Sequence, residues 1–327
     1  MQFGAQCGGY SCVSLSYHEK GAEAEFQTDK QLECMIYPVL RTMSRVIGAV
    51  LSGALALLSP LGAQSASDSS RREFAAARKT DSTARDPHSV QPERPTVATH
   101  AGTVARGWVE LEEGGEWDKA PDGKRSFFAP TNLKIGLAPR AQLNLLFNLI
   151  HDRSIVDGSL VASDFTIGVK YRLLEDSPVV GNFAILPALK LPTALREAGT
   201  GTTDVSLLLI SSHQLGPVAM DLNVGQTWRS GDGTTVPKRA GIWTASFGLP
   251  VSGRFGATVE MFGYPRTTGP AGAKGTAALL IGPTFLAREW LALDAGIIAP
   301  IVGPQPRAAY SGFVWNFGCL GPRRFCK

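Results

Sequence analysis

The segment 164–174, DFTIGVKYRLL, alternates apolar and polar side chains at every second position. Successive side chains of a β-strand point to opposite faces, so this pattern predicts a strand with one face against an apolar medium. One face would carry Phe165, Ile167, Val169, Tyr171 and Leu173, and the other Thr166, Gly168, Lys170 and Arg172. The segments 217–228, PVAMDLNVGQTW, and 312–317, GFVWNF, repeat the same alternation. Period two therefore dominates the second half of the chain.

Extending the pattern in both directions predicts further strands separated by turn residues. The predicted strands are 102–117, 126–137, 141–150, 162–174, 181–193, 203–214, 217–229, 239–250, 253–264, 275–286, 290–301 and 307–318. Their number, twelve, is even, as is usual for bacterial membrane barrels, and each is long enough for a tilted strand to cross a bilayer.

The connections between these strands alternate in length. Short turns are predicted at 139–140, 175–180, 214–217, 251–254 and 287–289, and polar loops at 118–125, 151–161, 194–202, 230–238, 265–274 and 302–306. Outer-membrane barrels have short periplasmic turns and longer external loops. The sequence thus predicts an all-β, antiparallel up-and-down transmembrane β-barrel of about 12 strands over residues 100–318, located in a bacterial outer membrane.

Composition supports a membrane barrel over a secreted soluble β-protein. Hydrophobic residues make up 44% of the chain and charged residues 18%, with a mean hydropathy of +0.02. In a soluble β-protein charges would dominate one face of most strands, whereas here that face often carries Gly, Ala, Ser, Thr or Asn. The net charge of +4 is small for 327 residues, and no basic run predicts a nucleic-acid partner.

Residues 43–66, MSRVIGAVLSGALALLSPLGAQSA, have the organisation of a secretory signal peptide, with Arg45 before an apolar stretch and small residues at its end. Residues 1–42 are then interpreted as an upstream extension from a mistaken start, with a genuine extended leader as the alternative. Residues 67–99 are polar and are predicted to form a disordered periplasmic lead-in, the alternative being a plug inside the barrel. In the tail, 319–327, Cys319 and Cys326 would form a disulfide or remain free thiols.

Charged and polar residues on the inner-facing positions are the candidate lumen lining. They are Glu110, Glu112, Lys134, Lys170, Arg172, Lys190, Asp221, Asn223, Glu260 and Asp294. They could select solutes in an open pore, or they could fill a narrow barrel as a packed network of ion pairs. Arginine at lipid-facing Leu222 should cost about 2–4 kcal/mol, whereas arginine at Asn223 is expected to be tolerated.

Several short motifs occur in an order that resembles the outer-membrane family called the putative MetA-pathway of phenol degradation transporters. These are Arg94-Pro95, Gly-x-x-x-x-Glu at 107–112, Gly-x-Lys-Tyr-Arg at 168–172, and the Glu-aromatic step at 260–262, within a resemblance that covers about 92–318. The resemblance implies passive passage of small solutes, aromatic or hydrophobic compounds among them. Because that family's name rests on gene neighbourhoods, it does not imply a particular substrate.

The expected partners of such a barrel are outer-membrane lipid, small-molecule solutes and the barrel-assembly machinery. The machinery would recognise the last strand, although the terminal aromatic of many barrels is here followed by ten further residues after Phe317. A non-conducting structural barrel is an alternative function.

No catalysis is expected, and an outer-membrane lipid hydrolase is the less favoured alternative. The Ser/His combinations are Ser211 with His213, which lie near the periplasmic rim and away from the outer leaflet, and His151 with Ser154, which lie in a loop together with Asp152 and Asp157. A catalytic serine needs its base in reach and a third group to orient that base, and these residues are interpreted as ordinary polar rim residues. Cys319 and Cys326 lack the spacing of a zinc site, and no nucleotide-binding motif occurs. The sequence therefore predicts neither a metal nor a cofactor.

Overall fold

The computed structural model describes residues 86–152, 160–194 and 198–320. Thirteen strands are found in this part of the chain. They are β1 (Trp108–Lys119), β2 (Arg125–Ala138), β3 (Ala141–Asp152), β4 (Val161–Ala162), β5 (Phe165–Ser177), β6 (Gly181–Leu191), β7 (Asp204–Leu215), β8 (Val218–Arg229), β9 (Arg239–Ser252), β10 (Phe255–Tyr264), β11 (Thr276–Arg288), β12 (Leu291–Val302) and β13 (Arg307–Cys319).

Antiparallel pairing of sequential strands closes the sheet into a barrel. β1 pairs with β2 on one side and with β13 on the other, so the first and last long strands complete the ring. The two-residue strand β4 pairs only with Leu149 and Ile150 near the end of β3, and β3 pairs with β5 along the rest of its length. The wall therefore has twelve long strands, and the predicted fold class is confirmed.

The strand ends agree with the sequence prediction to within a few residues, except at the first strand. β1 begins at Trp108, six residues later than predicted. The backbone N–H of Val104 donates to Oε1 of Gln142, at 2.8 Å, and Gly107 takes a φ of 81° where the chain turns into β1. Residues 102–107 thus belong to a preceding segment rather than to the wall.

Alternation along the strands separates an apolar outer face from a buried inner face. In β5, Val169 and Tyr171 are exposed to 37% and 45%, whereas Lys170 and Arg172 between them are exposed to 0% and 1%. In β8, Val224 is 62% exposed and Asn223 only 2%. An outer surface of exposed apolar side chains is what contact with lipid requires. No helix in the described residues has the length and hydropathy needed to span a membrane.

One end of the barrel has short turns and the other longer loops. At the short-turn end two or three residues connect β2 to β3, β5 to β6, β7 to β8, β9 to β10 and β11 to β12, whereas at the loop end the β6–β7 connection spans 192–203. The fold is that of a bacterial outer-membrane barrel, in which the short turns face the periplasm.

The predictions for residues 1–42, 43–66 and 67–85 fall outside the described residues, as does Cys326. Cys319 is disulfide-bonded.

Candidate functional site

Residues 86–106, called here the inserted segment, lie inside the barrel. Val90, Ala101 and Val104 are at most 1% exposed. Both ends of the segment lie at the short-turn end: the Val90 N–H donates to the Glu289 carbonyl at 2.9 Å, and the Thr103 hydroxyl to the Pro139 carbonyl at 3.3 Å. The expectation of a disordered lead-in over 67–99 is therefore wrong for residues 86–99.

The inner wall binds the inserted segment through its main chain. On the β1 side, the Gln91 N–H donates to Oε2 of Glu110 and the Glu93 N–H to Oε1 of Glu112, both at 2.7 Å. A buried backbone N–H that lacks a partner costs free energy, and a carboxylate is a strong acceptor for it. Two of the predicted lumen residues thus satisfy the main chain of the segment.

The same mode of binding continues across the lumen. Glu260 accepts from Val97 N–H at 2.8 Å and from Ala98 N–H at 2.7 Å, one bond to each carboxylate oxygen. Asn223 accepts from Thr99 N–H at 2.7 Å and donates to the Thr99 carbonyl at 2.9 Å. The segment therefore reaches from β1 to β10 and β8 with its main chain paired at each step.

The structure leads to the opposite expectation for arginine at Asn223, which should destabilise the barrier. Asn223 is buried and both of its amide atoms bond to Thr99. Arginine has no acceptor atom, so it cannot replace the bond from Thr99 N–H.

On the far side of the lumen the segment returns to the short-turn end. Ala101 N–H donates to Oγ of Ser212, at 2.8 Å, and the Ser212 hydroxyl donates to Asp221, at 2.6 Å. Because the segment contacts strands on all sides of the ring, it forms a barrier across the lumen.

Ion pairs surround the barrier. The Lys134 ammonium lies 2.5 Å from Glu110 and 2.8 Å from Glu112, and it donates to the Gln91 carbonyl at 2.6 Å. The Lys170 ammonium pairs with Glu93 of the segment and donates to the His100 carbonyl at 3.0 Å. These lysines carry positive charge that balances the carboxylates needed to bind the main chain.

Arg94 occupies a slot made by two glycines that face each other on β1 and β13, Gly114 and Gly312. A Cβ added at Gly312 would come within 2.5 Å of Arg94 Nε and also of the Glu113 carbonyl oxygen in the backbone, so side chains are excluded there. Both Nε and Nη2 of Arg94 bond to Asp294 at 3.3 Å. The wall is thus shaped to accept this arginine.

A second cluster of charged residues holds the β6–β7 loop in place at the loop end of the barrel. Lys190 donates to Oδ2 of Asp164 at 2.7 Å, to the Thr200 hydroxyl at 2.5 Å and to the Thr202 carbonyl at 2.8 Å. Asp164 also accepts from the backbone N–H groups of Ala194 and Thr200. Burial alone would raise the pKa of Asp164, but these hydrogen bonds and the lysine charge hold it below its usual value.

Replacing Asp164 with asparagine is expected to loosen the β6–β7 loop. Hydrogen–deuterium exchange at the Ala194 and Thr200 amides should accelerate, because both lose a charged acceptor. The pKa of Asp164 is lower in the folded protein than in the unfolded chain. The carboxylate therefore stabilises the loop at pH values above the unfolded-state pKa, and this stabilisation is lost as pH falls through the folded-state pKa. In the wild type, the same loosening of the loop is expected only in acid. Asp232→Asn, in an exposed loop, is the control; equal exchange at both amides in wild type and D164N would contradict the assignment.

Between the two charged clusters, part of the inner wall is apolar. Ala184, Leu186, Leu208, Ile210 and Ile242 pack with Ala101 of the segment, and Phe262, Ala278, Leu280, Ile298, Ala308 and Tyr310 form a neighbouring cluster. Val97 packs against both. These residues are not evident from the sequence, since strands such as β6 are apolar on both faces and give no clear alternation.

A cavity lies on the β2–β6 side, between the inserted segment and the loop end. It is bordered by Arg94 of the segment, by Leu146, Asn148 and Ile150 of β3, by Thr166 and Gly168 of β5, by Leu186, Ala188 and Lys190 of β6, and by Ala198 and Thr200 of the β6–β7 loop. It offers about 60 Å³ to the centres of water molecules, several times the roughly 10–15 Å³ that one water needs. A cavity therefore lies next to the inserted segment, on the side of the loop end.

All ten predicted lumen residues are buried in the barrel, each at most 8% exposed. Eight of them bond to the inserted segment or lie within the network around it. The other two are Arg172, which pairs with Glu175 at 2.9 Å, and Lys190, which belongs to the charged cluster at the β6–β7 loop. Their predicted role in selecting solutes stays a prediction. The residues of the inserted segment itself, Arg94 included, were not among the predicted site residues.

The rim Ser/His pairs do not assemble a catalytic triad in the described residues. Ser211 Oγ lies 2.9 Å from His213 Nε2, but the serine hydroxyl donates to the Val180 carbonyl at 2.8 Å. With its one proton directed there, the serine accepts from His213, which is the reverse of general-base activation. Ser154 falls outside the described residues, and within them no cluster of His, Cys, Asp and Glu could hold a metal ion.

Among solved structures, the chain resembles an outer-membrane channel from Pseudomonas putida F1, with a TM-score of 0.52 and 12% identity over 70% of this chain and 100% of that one. The KdgM porin follows with a TM-score of 0.45 and 8% identity, over 64% of this chain and 99% of the porin. The CymD monoaromatic hydrocarbon channel gives 0.39 and 8%, over 65% and 89%. No protein-family model matches the sequence, and no curated protein matches it. The first likeness shows a shared outer-membrane barrel fold.

Proposed function

We propose that this protein is an outer-membrane channel for the passive passage of small solutes, in which the inserted segment is the barrier that must move to open the path. The observation that carries the proposal is the way the barrier is held. Glu110, Glu112, Asn223 and Glu260 bind its main chain through hydrogen bonds, several of them charge-assisted. Bonds of this kind exchange with water and can form again after the segment leaves.

The hollow and partly apolar region beyond the barrier supports passage rather than a purely structural role. A barrel that serves only to fill the membrane gains from complete packing, yet the cavity of about 60 Å³ is left open above Arg94. The apolar clusters around Leu186, Phe262 and Leu280 would suit solutes with hydrophobic or aromatic bodies. Such solutes agree with the resemblance to the MetA-pathway family, which we retain as a proposal.

The non-conducting barrel remains the second candidate, because the ion pairs at Lys134, Lys170 and Arg94 pack the barrier firmly. Outer-membrane lipid and the barrel-assembly machinery are proposed as partners. The machinery would contact the last strand, where Trp315 and Phe317 are 41% and 43% exposed on the outer face. We propose no catalytic activity.

Conductance in planar bilayers tests the function. The protein, purified from the outer membrane of an expressing host, is expected to show brief discrete openings from a closed baseline, which lengthen when the barrier is weakened. Absence of openings in the wild type and in barrier variants would favour the non-conducting barrel.

A further inference from the structure

Among the charged side chains that border the cavity above the barrier, one has hydrogen-bond donors that no residue in the described part of the chain accepts. Four charged residues border it: Arg94, Glu112, Asp164 and Lys190. Lys190 uses its three donors on Asp164, Thr200 and Thr202. Asp164 accepts from Lys190 and from two backbone N–H groups, and Glu112 accepts from the Glu93 N–H, Lys134 and Asn132.

Arg94 differs from these three. Its Nε and Nη2 bond to Asp294 and Nη2 also reaches the Ser311 carbonyl, all at 3.3–3.4 Å. Its Nη1 makes no hydrogen bond with any residue in the described part of the chain. The guanidinium is held in the glycine slot, and its side chain is still 13% exposed.

The rest of the cavity surface suits an apolar body. Leu146, Ile150, Leu186 and Ala188 supply aliphatic surface, and Gly168 has no side chain to fill the space. Several neutral polar side chains also border the cavity, and of these Asn148 and Thr166 form no side-chain hydrogen bond within the described residues. The surroundings are thus mostly apolar, with polar groups at a few points, as is typical of small-molecule sites.

We propose that this cavity binds a small carboxylic acid with an apolar body, its carboxylate on Arg94 Nη1 and its body against Leu146, Leu186 and Ala188. The proposal rests on the proposed function, of which it names the solute class. An anion is favoured because the donor left open, Arg94 Nη1, belongs to a cation, and a hydrogen bond from a guanidinium N–H to a carboxylate is charge-assisted.

Isothermal titration calorimetry on the detergent-solubilised full protein tests the site, with benzoate as probe and benzyl alcohol and benzylamine as ligands of similar size. Benzoate is expected to bind at least about tenfold more tightly than either. Arg94→Gln should weaken benzoate by a similar factor and leave benzyl alcohol within about twofold. Ala188→Leu, which fills the cavity without touching Arg94, should weaken both ligands.

Arg140→Gln is the matched control, since Arg140 is exposed at the short-turn end and pairs with Glu175. Limited proteolysis of the inserted segment checks that Arg94→Gln leaves the barrier in place. Unchanged benzoate affinity in Arg94→Gln, equal affinity for benzyl alcohol, or no binding of benzoate would each overturn the site. If benzoate binds but the protein does not conduct, the binding site is supported and the proposed channel function is refuted. If the protein conducts but does not bind benzoate, the channel function is supported and the binding site is refuted.

Discussion

Lys134→Met is expected to destabilise the folded barrel by roughly 3–5 kcal/mol, because it leaves two buried carboxylates without their cation. The Lys134 ammonium lies 2.5 Å from Glu110 and 2.8 Å from Glu112, and all three side chains are at most 2% exposed. Urea titration in lipid vesicles, followed by the heat-dependent shift of the folded band on gels, measures the change.

Two further variants separate this buried charge effect from a general sensitivity to lysine removal. Lys124→Met removes a lysine whose side chain is 50% exposed and pairs with Asp122, so it should cost no more than about 1 kcal/mol. Adding Glu110→Gln and Glu112→Gln to Lys134→Met should restore much of the lost stability. No buried carboxylate is then left without a cation, and the amide oxygens of the two glutamines still accept from the N–H groups of Gln91 and Glu93. Equal effects of K134M and K124M would show that the network does not stabilise the barrel.

Glu260→Gln is expected to free the inserted segment and increase the time the channel spends open. Each Glu260 oxygen accepts one backbone N–H, from Val97 or from Ala98. A glutamine keeps one acceptor and turns its NH₂ group towards the other N–H. Loss of a hydrogen bond to a charged group costs about 1.5–3 kcal/mol, which corresponds to roughly a 10- to 150-fold rise in the open fraction.

Single-channel recording gives the open fraction, and cleavage by added protease within 86–106 reports release of the segment independently. Glu175→Gln is the control, because Glu175 is at the rim and pairs with Arg140 and Arg172. An open fraction in E260Q that matches E175Q would mean that the main-chain bonds do not hold the barrier.

The wall of the barrel could be predicted from the sequence because each strand carries its own alternating pattern. Lys170 and Arg172 lie between Val169, Tyr171 and Leu173, so the side that faces lipid is evident from eleven neighbouring residues. The same alternation placed Glu260 and Asp294 on the inner face, where the structure has them buried.

The barrier could not be predicted in the same way. Residues 86–99 look like a disordered segment because they lack an apolar face, but they are held through their main chain, which leaves no pattern in the side chains. Their partners are distant in sequence: Glu260 is 163 residues from Val97, and Asn223 is 124 from Thr99. A local reading of the sequence cannot detect hydrogen bonds of this kind.

The motifs that carried the family resemblance acquire a structural explanation. Four residues of these motifs meet at the barrier. Glu112 and Glu260 accept main-chain N–H groups of the inserted segment. Lys170 pairs with Glu93 of the segment, and Arg94 is itself part of the segment. The alternation placed Glu112, Lys170 and Glu260 on the inner wall, whereas Arg94 fell in the predicted lead-in. Their common contact with the inserted segment emerges when the barrel closes.

A reversible covalent lock on the inserted segment tests most directly whether it controls passage. Ala101→Cys and Ser212→Cys, introduced together into Glu260→Gln, replace two residues already joined by a 2.8 Å hydrogen bond. We expect the oxidised protein to be silent in a planar bilayer and a reductant to restore the openings of Glu260→Gln, with Glu260→Gln alone under the same reductant as the control for Cys319. Undiminished conductance with the engineered disulfide intact would show that solutes bypass the segment and would contradict its role as the barrier.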